Sequence, residues 1–329
     1  MQTATRATEW PTLLVFVVTY ALWALATTVL WSFSPVLAIL AAALAIAQFS
    51  SLTHEVLHGH PFRSQTLSEA LVFPGLTVFV PYLRFKDTHL QHHFDPALTD
   101  PYDDPESNYC DPAVWARLSR AAQLVLRFNN TLIGRVLIGP VVSTVTFLAL
   151  EVQLLRAGSR RVMLGWALHL PGVALVALWL MVLGQMPVWA YLVAVYLSMS
   201  LLKIRTYLEH RAHEAARART VVIESRGPLS LLFLNNNFHV VHHMHPAVPW
   251  YQLPGLYFGN REHYLRRNES YRYTSYVEIF RQFLFRAKDP VPHPVWPVEK
   301  GGALDQPAEL RGGAGIVEER HAGLIVARH

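Results

Sequence analysis

Cysteine is nearly absent. Cys110 is the only one in 329 residues, so an intrachain disulfide framework and a thiolate metal cluster are both excluded. Charge is scarce as well. Asp, Glu, Lys and Arg make up 16% of the chain, against about a quarter in a typical soluble domain. The formal charge of +5 is not gathered into a nucleic-acid-binding stripe; many basic residues flank apolar runs instead. No short apolar core followed by a small-residue cleavage site opens the chain, which argues against a removed signal segment. The acidic loop from Leu98 to Ser107 lacks the alternating ligands and central glycine of a calcium loop. No internal repeat is visible beyond paired apolar runs.

What the chain has in excess is apolar sequence and histidine. Hydrophobic residues make up 52%, and there are 17 histidines. Pro11 to Trp31 is almost uncharged and long enough to cross a bilayer as a helix. Pro35 to Phe49, extended through Leu52, pairs with it as a tight hairpin whose uncharged link faces away from the cytoplasm. Residues 67–83 contain Pro74, Gly75 and Pro81 and predict a broken, re-entrant or interfacial pair of short helices under protein cover. Residues 113–128 read as an amphipathic surface helix. The runs 162–183 and 187–204 form a second hairpin, with Arg156, Arg160 and Arg161 on one side and uncharged Gly184-Gln185-Met186-Pro187 on the other. The run 134–154 is expected to lie in or dip into the interface, because an odd number of crossings would separate the histidine clusters. The fold class expected is an all-α integral membrane protein: four transmembrane helices in two hairpins, interfacial helices, and a histidine-rich region on the cytoplasmic side. Residues 1–289 would form this membrane domain; 290–329, rich in Pro and Gly, would be a mostly disordered tail.

The histidines fall into spaced clusters. His54 and His58 are four apart; His89, His92 and His93 repeat that spacing, as do His239, His242 and His243. On a helix each set shares one face. Eight imidazoles are too many for one tetrahedral zinc ion. They suit two five- or six-coordinate ions, and imidazole accepts iron as readily as zinc. His54-Glu55-x-x-His58 also matches a zinc-peptidase motif with Glu55 as base, but that reading leaves both His-x-x-His-His units unexplained. Glu55 is better read as steadying a ligand from outside the metal sphere. His210 and His213 leave the last apolar run on the same predicted side. Either offers a ninth ligand, and His210 is favoured, with Glu209 as a candidate acceptor beside it. Asn235, Asn236 and Asn237 would orient a histidine or cap the helix that follows. Asp100, Asp103, Asp104 and Glu106 would pair with arginines or orient imidazoles. His60, His245 and His263 fall outside the repeated spacing. His169 lies mid-span and needs a hydrogen-bond partner between helices.

With these clusters, Asp103-Asp104-Pro105-Glu106-Ser107, Arg205 to Arg211 and Asn237 to Pro246, the chain resembles the membrane fatty acid desaturase family and, more distantly, the membrane alkane hydroxylases. The resemblance covers about residues 10–285. It implies four spans, a cytoplasmic di-iron site in a bacterial inner membrane, and molecular oxygen as co-substrate. It also supports His210 as an extra ligand. The family's water-holding asparagine has no clear match, since Thr206 stands four residues before His210. The implied reaction is desaturation of a fatty acyl chain or related aliphatic substrate. The alternatives are hydroxylation, or desaturation of a small metabolite such as an amino acid derivative. Electrons would come from a separate donor such as a ferredoxin, with Arg84, Lys86, Arg261, Arg266 and Arg267 as its candidate dock.

Overall fold

The computed structural model describes residues 8–296. Helix α1 (Trp10–Thr27) continues after a one-residue break as α2 (Val29–Phe33). The Ser34 hydroxyl accepts from the Leu37 amide, and Pro35 occupies the first turn, so a new helix starts there: α3 (Pro35–Leu57). Alanines at 38, 42 and 45 on α3 are fully buried, and their small side chains let α1 and the later helix Val188–Thr206 pack closely on it. Outward residues such as Leu14, Val17 and Leu37 stay exposed, as helices facing lipid require.

A short α4 (Gln65–Ala70) leads into irregular backbone, then α5 (Tyr82–His92). The irregular stretch is held against a later helix. His169 Nε2 donates to the Val78 carbonyl at 2.7 Å. A Cβ on Gly172 would lie 2.1 Å from the Phe73 carbonyl oxygen, so only glycine permits this approach. The expected surface helix over 113–128 is divided: α6 (Pro112–Arg117) ends at Leu118, and Ser119 caps a separate α7 (Arg120–Asn129).

Three long helices follow, α8 (Leu132–Arg156), α9 (Arg160–Val182) and α10 (Val188–Thr206). Among the described residues, five helices are long and apolar enough to cross a membrane, α1 and α2 counting as one. The expected number of spans was four; the difference is α8, which meets the same length and composition criteria despite Pro140. Both ends of α8 nevertheless meet elements near the histidines. Near its start, the Arg135 side chain donates to the Asn108 side chain and the Asn129 carbonyl. Near its end, Glu151 pairs with Arg84 on α5 at 3.0 Å.

Beyond α10 the chain forms α11 (Pro228–Leu232), α12 (His239–Met244), α13 (Leu253–Gly259), α14 (Arg261–Arg267) and α15 (Tyr276–Phe283). The only sheet among the described residues is the two-residue parallel pair β1 (Val222–Ile223) and β2 (Arg272–Tyr273). The aromatics of this polar region build two small cores, one around Tyr207, Phe233 and Tyr276, the other around Phe238, Tyr257 and Tyr264. Packing runs past the boundary expected at 289: Val291 and His293 are buried. The remainder of the predicted tail, 297–329, lies outside the described residues.

Candidate metal centre

Three helix ends and one loop deliver nine imidazoles to one place. His54 and His58 sit at the C-terminal end of α3, His89, His92 and His93 at the end of α5, and His239, His242 and His243 on α12. His210 comes from the extended segment after α10, where it bridges to Thr220. Two groups result: His54, His58, His89, His93 and His242 in one, and His92, His210, His239 and His243 in the other, ring nitrogens within 4.8 Å of one another in each. The division cuts across the clusters. His92 and His93 are adjacent in sequence but serve different groups, because residues one apart on a turn of helix point about 100° apart.

The spacing of the donors fits metal ions. Nε2 of His92 lies 2.9 Å from Nε2 of His210, and His239 Nε2 is 3.1 Å from the same atom. In the other group His93 Nε2 is 3.0 Å from His89 Nε2 and 3.1 Å from His242 Nε2. Bonds of about 2.1 Å to one ion at right angles place neighbouring donors about 3.0 Å apart. The buried Nε2 atoms of His54 and His58 have no hydrogen-bond partner, a costly state for a polar group that a metal would relieve. A pair of imidazole-ligated ions therefore fits the residues present.

Surrounding acceptors set the ring orientations. His89 Nδ1 donates to Glu106 at 2.8 Å, His92 Nδ1 to Asp104 at 2.7 Å and His239 Nδ1 to Asn236 at 3.1 Å. Each leaves Nε2 turned toward the other imidazoles, where it could bind a metal. Asn236 thus orients a ring, and α12 has no side-chain cap. Glu209 accepts from Asn236 at 3.0 Å and stands 3.2 Å from Arg205. One Glu55 oxygen accepts from the Trp250 amide at 3.2 Å, and the other stands 3.7 Å from His54 Nδ1. Thr206 lines a cavity of about 30 Å³ with Glu106, Glu209 and His210.

Burial, then repulsion from neighbouring imidazoles, holds His210, His239 and His242 well below the usual histidine range, in the neutral form that binds metal. His92 differs. Burial opposes its charge, but Glu106 and Asp104 outweigh burial and push it up to about 9. For Glu106 burial favours the neutral acid, yet His92 and His89 hold it below the usual carboxylate range.

His60, His213, His245 and His263 stand apart. His213 meets Glu269 at 3.4 Å, and His60 meets Glu9 at 2.6 Å. His245 and His263 lie against Tyr264. The proposed donor dock needs one correction: Arg84 is 2% exposed and spent on Glu151, so it cannot face a partner. Lys86 and Arg261 are paired with Glu69 and Glu224. Reading by spacing missed Glu151, whose second oxygen accepts from Trp166 at 2.9 Å; its signal was a lone acid inside an apolar run.

A family model described as fatty acid desaturase matches residues 29–275. A shorter stretch is similar to a beta-carotene ketolase of Paracoccus sp., 35% identical over 100 residues. That stretch covers 27% of this chain and 40% of the relative.

Proposed function

This chain belongs to the fatty acid desaturase family, and from that premise we propose that it is a membrane di-iron enzyme that uses molecular oxygen to introduce a double bond into an acyl chain or related aliphatic substrate. The observation that carries the reading is the convergence of nine imidazoles in a group of five and a group of four. In this reading His54, His58, His89, His93 and His242 hold one iron, and His92, His210, His239 and His243 the other. Bound there, the iron pair supplies oxygen activation and the power to break an unactivated C–H bond. The chain's own residues supply placement. Glu106, Asp104 and Asn236 fix the tautomers of His89, His92 and His239. Removal of hydrogen from two adjacent carbons gives the alkene; return of oxygen to the first carbon gives an alcohol, and substrate position decides between them. Electrons come from a separate redox protein such as a ferredoxin.

The topology proposed keeps four crossings, with α8 along the site-side interface; contacts at both its ends with site-side elements support this. Arg156, Arg160 and Arg161 flank that side and support a cytoplasmic orientation for it.

Oxygen insertion is the second reading, favoured by the stretch shared with a protein named as a ketolase. Mass spectrometry of lipids and small metabolites from cells expressing the wild type, against a His92→Ala/His93→Ala control, tests both. A host lipid lighter by two hydrogens establishes desaturation; one heavier by an oxygen establishes insertion. A shift confined to a small polar metabolite would overturn the lipid substrate. Full iron content and activity in the control would overturn the ligand assignment.

A further inference from the structure

The segment after α15 packs on two loops that the metal centre depends on. Lys288 Nζ donates to the backbone carbonyl of His210. Asp289 accepts from the Tyr109 hydroxyl, whose oxygen accepts from the Ala212 amide at 2.8 Å. The Val291 carbonyl accepts from the Cys110 amide at 2.9 Å, and the His293 amide donates back to the Cys110 carbonyl at 2.8 Å. His293 is 5% exposed, with Nε2 at 3.2 Å from Thr99 Oγ1. The Thr99 amide donates to Asp104 Oδ2 at 2.8 Å, and the other oxygen of Asp104 accepts from His92. Thr99 has a φ of +69°, a region unfavourable for a β-branched residue that persists only where surrounding contacts hold it.

The imidazoles these contacts reach directly are His92 and His210, both in the four-imidazole group, whereas His89 of the other group is reached only one step later, through Glu106. We infer that Lys288–His293 is a strap that positions this half of the centre, so that the two halves are held unequally. His293 and Lys288 are positioning residues: they touch no reacting atom and act through Thr99–Asp104–His92 and through the His210 backbone. Donor atoms must sit within about 0.5 Å of their productive place, and loss of a group supporting a ligand lowers metal affinity about 10- to 100-fold. The inference rests on the di-iron reading above.

The test uses the full-length protein with His293→Ala, His293→Gln and Lys288→Met, loaded with ⁵⁷Fe. Metal analysis and Mössbauer spectroscopy count the iron and resolve the two environments. His293→Ala and Lys288→Met are expected to give up one iron at a chelator concentration about 10-fold lower than the wild type. One spectral component should fade while the other stays unchanged. His293→Gln, whose amide still reaches Thr99, should restore most of the loss. If His293→Ala does not accumulate, Lys288→Met and His293→Gln carry the comparison. Variants that keep both irons with the wild-type spectrum overturn the strap alone, as does equal loss from both environments. A wild type that binds no iron pair overturns the di-iron reading and the strap with it.

Discussion

Asp104 shows how much one side chain can decide. Its two oxygens accept from His92 at 2.7 Å and from the Thr99 amide at 2.8 Å, so it fixes a ring and a loop together. Asp104→Asn is expected to weaken iron binding about 10- to 100-fold, read by competition with a chelator; an unchanged competition curve would show that the ring needs no such anchor. His210 and His213 separate more sharply. His210→Ala is expected to lose about half the bound iron, because it removes a donor shared by two close nitrogen contacts. His213→Ala should lose none, and equal losses from both would contradict the grouping. A different prediction concerns Glu224. Burial opposes its charge, but bonds from Arg261 at 2.5 Å, Tyr257 at 2.7 Å and Arg272 at 2.8 Å hold it down to about 2. A depressed folded-state value means stability that is present above the ordinary value of 4.5 and lost as pH falls toward 2. The melting difference between wild type and Glu224→Gln should therefore shrink over that window; a gap constant with pH would refute the linkage.

At the scale of elements, α5 carries three of the nine imidazoles in or at the end of its last turn, and its placement rests on a buried ion pair. Arg84 and Glu151 are 2% and 1% exposed. Removing only the carboxylate leaves the buried guanidinium with Asp87 alone, at 3.5 Å, so Glu151→Ala is expected to cost about 3 kcal/mol. Replacing both partners, as Arg84→Met with Glu151→Leu, should cost much less. Thermal unfolding in detergent compares them, and a double variant no better than the single one would disprove the argument. The carrying helices α3 and α5 were legible from i, i+4 spacing, because that repeat follows from helix geometry alone. The break between α6 and α7 was harder to see, since the apolar pattern continues across it and only Ser119, capping the Ala122 amide, marks the new start.

For the whole molecule the open choice is the path of α8. Helix length and composition admit five crossings, yet the histidine groups on α5 and α12 meet, which requires an even number between them. With Cys110 replaced by serine, single cysteines at Gly158 and Gly184 can be labelled with a membrane-impermeant maleimide in oriented vesicles. They are expected to react from opposite sides, with Gly158 on the side of His213. Labelling of Gly158 from the side opposite His213 would mean that α8 crosses, and the four-crossing topology would fail.

From the sequence alone came the apolar runs and the three histidine clusters, while the preference for His210 leaned on the family resemblance. The runs and clusters depend on short-range regularities: a turn of helix sets which imidazoles share a face, and bilayer thickness sets how long a run must be. Only the tertiary structure decided how nine imidazoles divide into five and four, that Arg84 turns inward to Glu151, and that His293 reaches Thr99 across 194 positions of sequence. Such contacts depend on where whole elements come to rest against one another, and a local spacing rule carries no information about that.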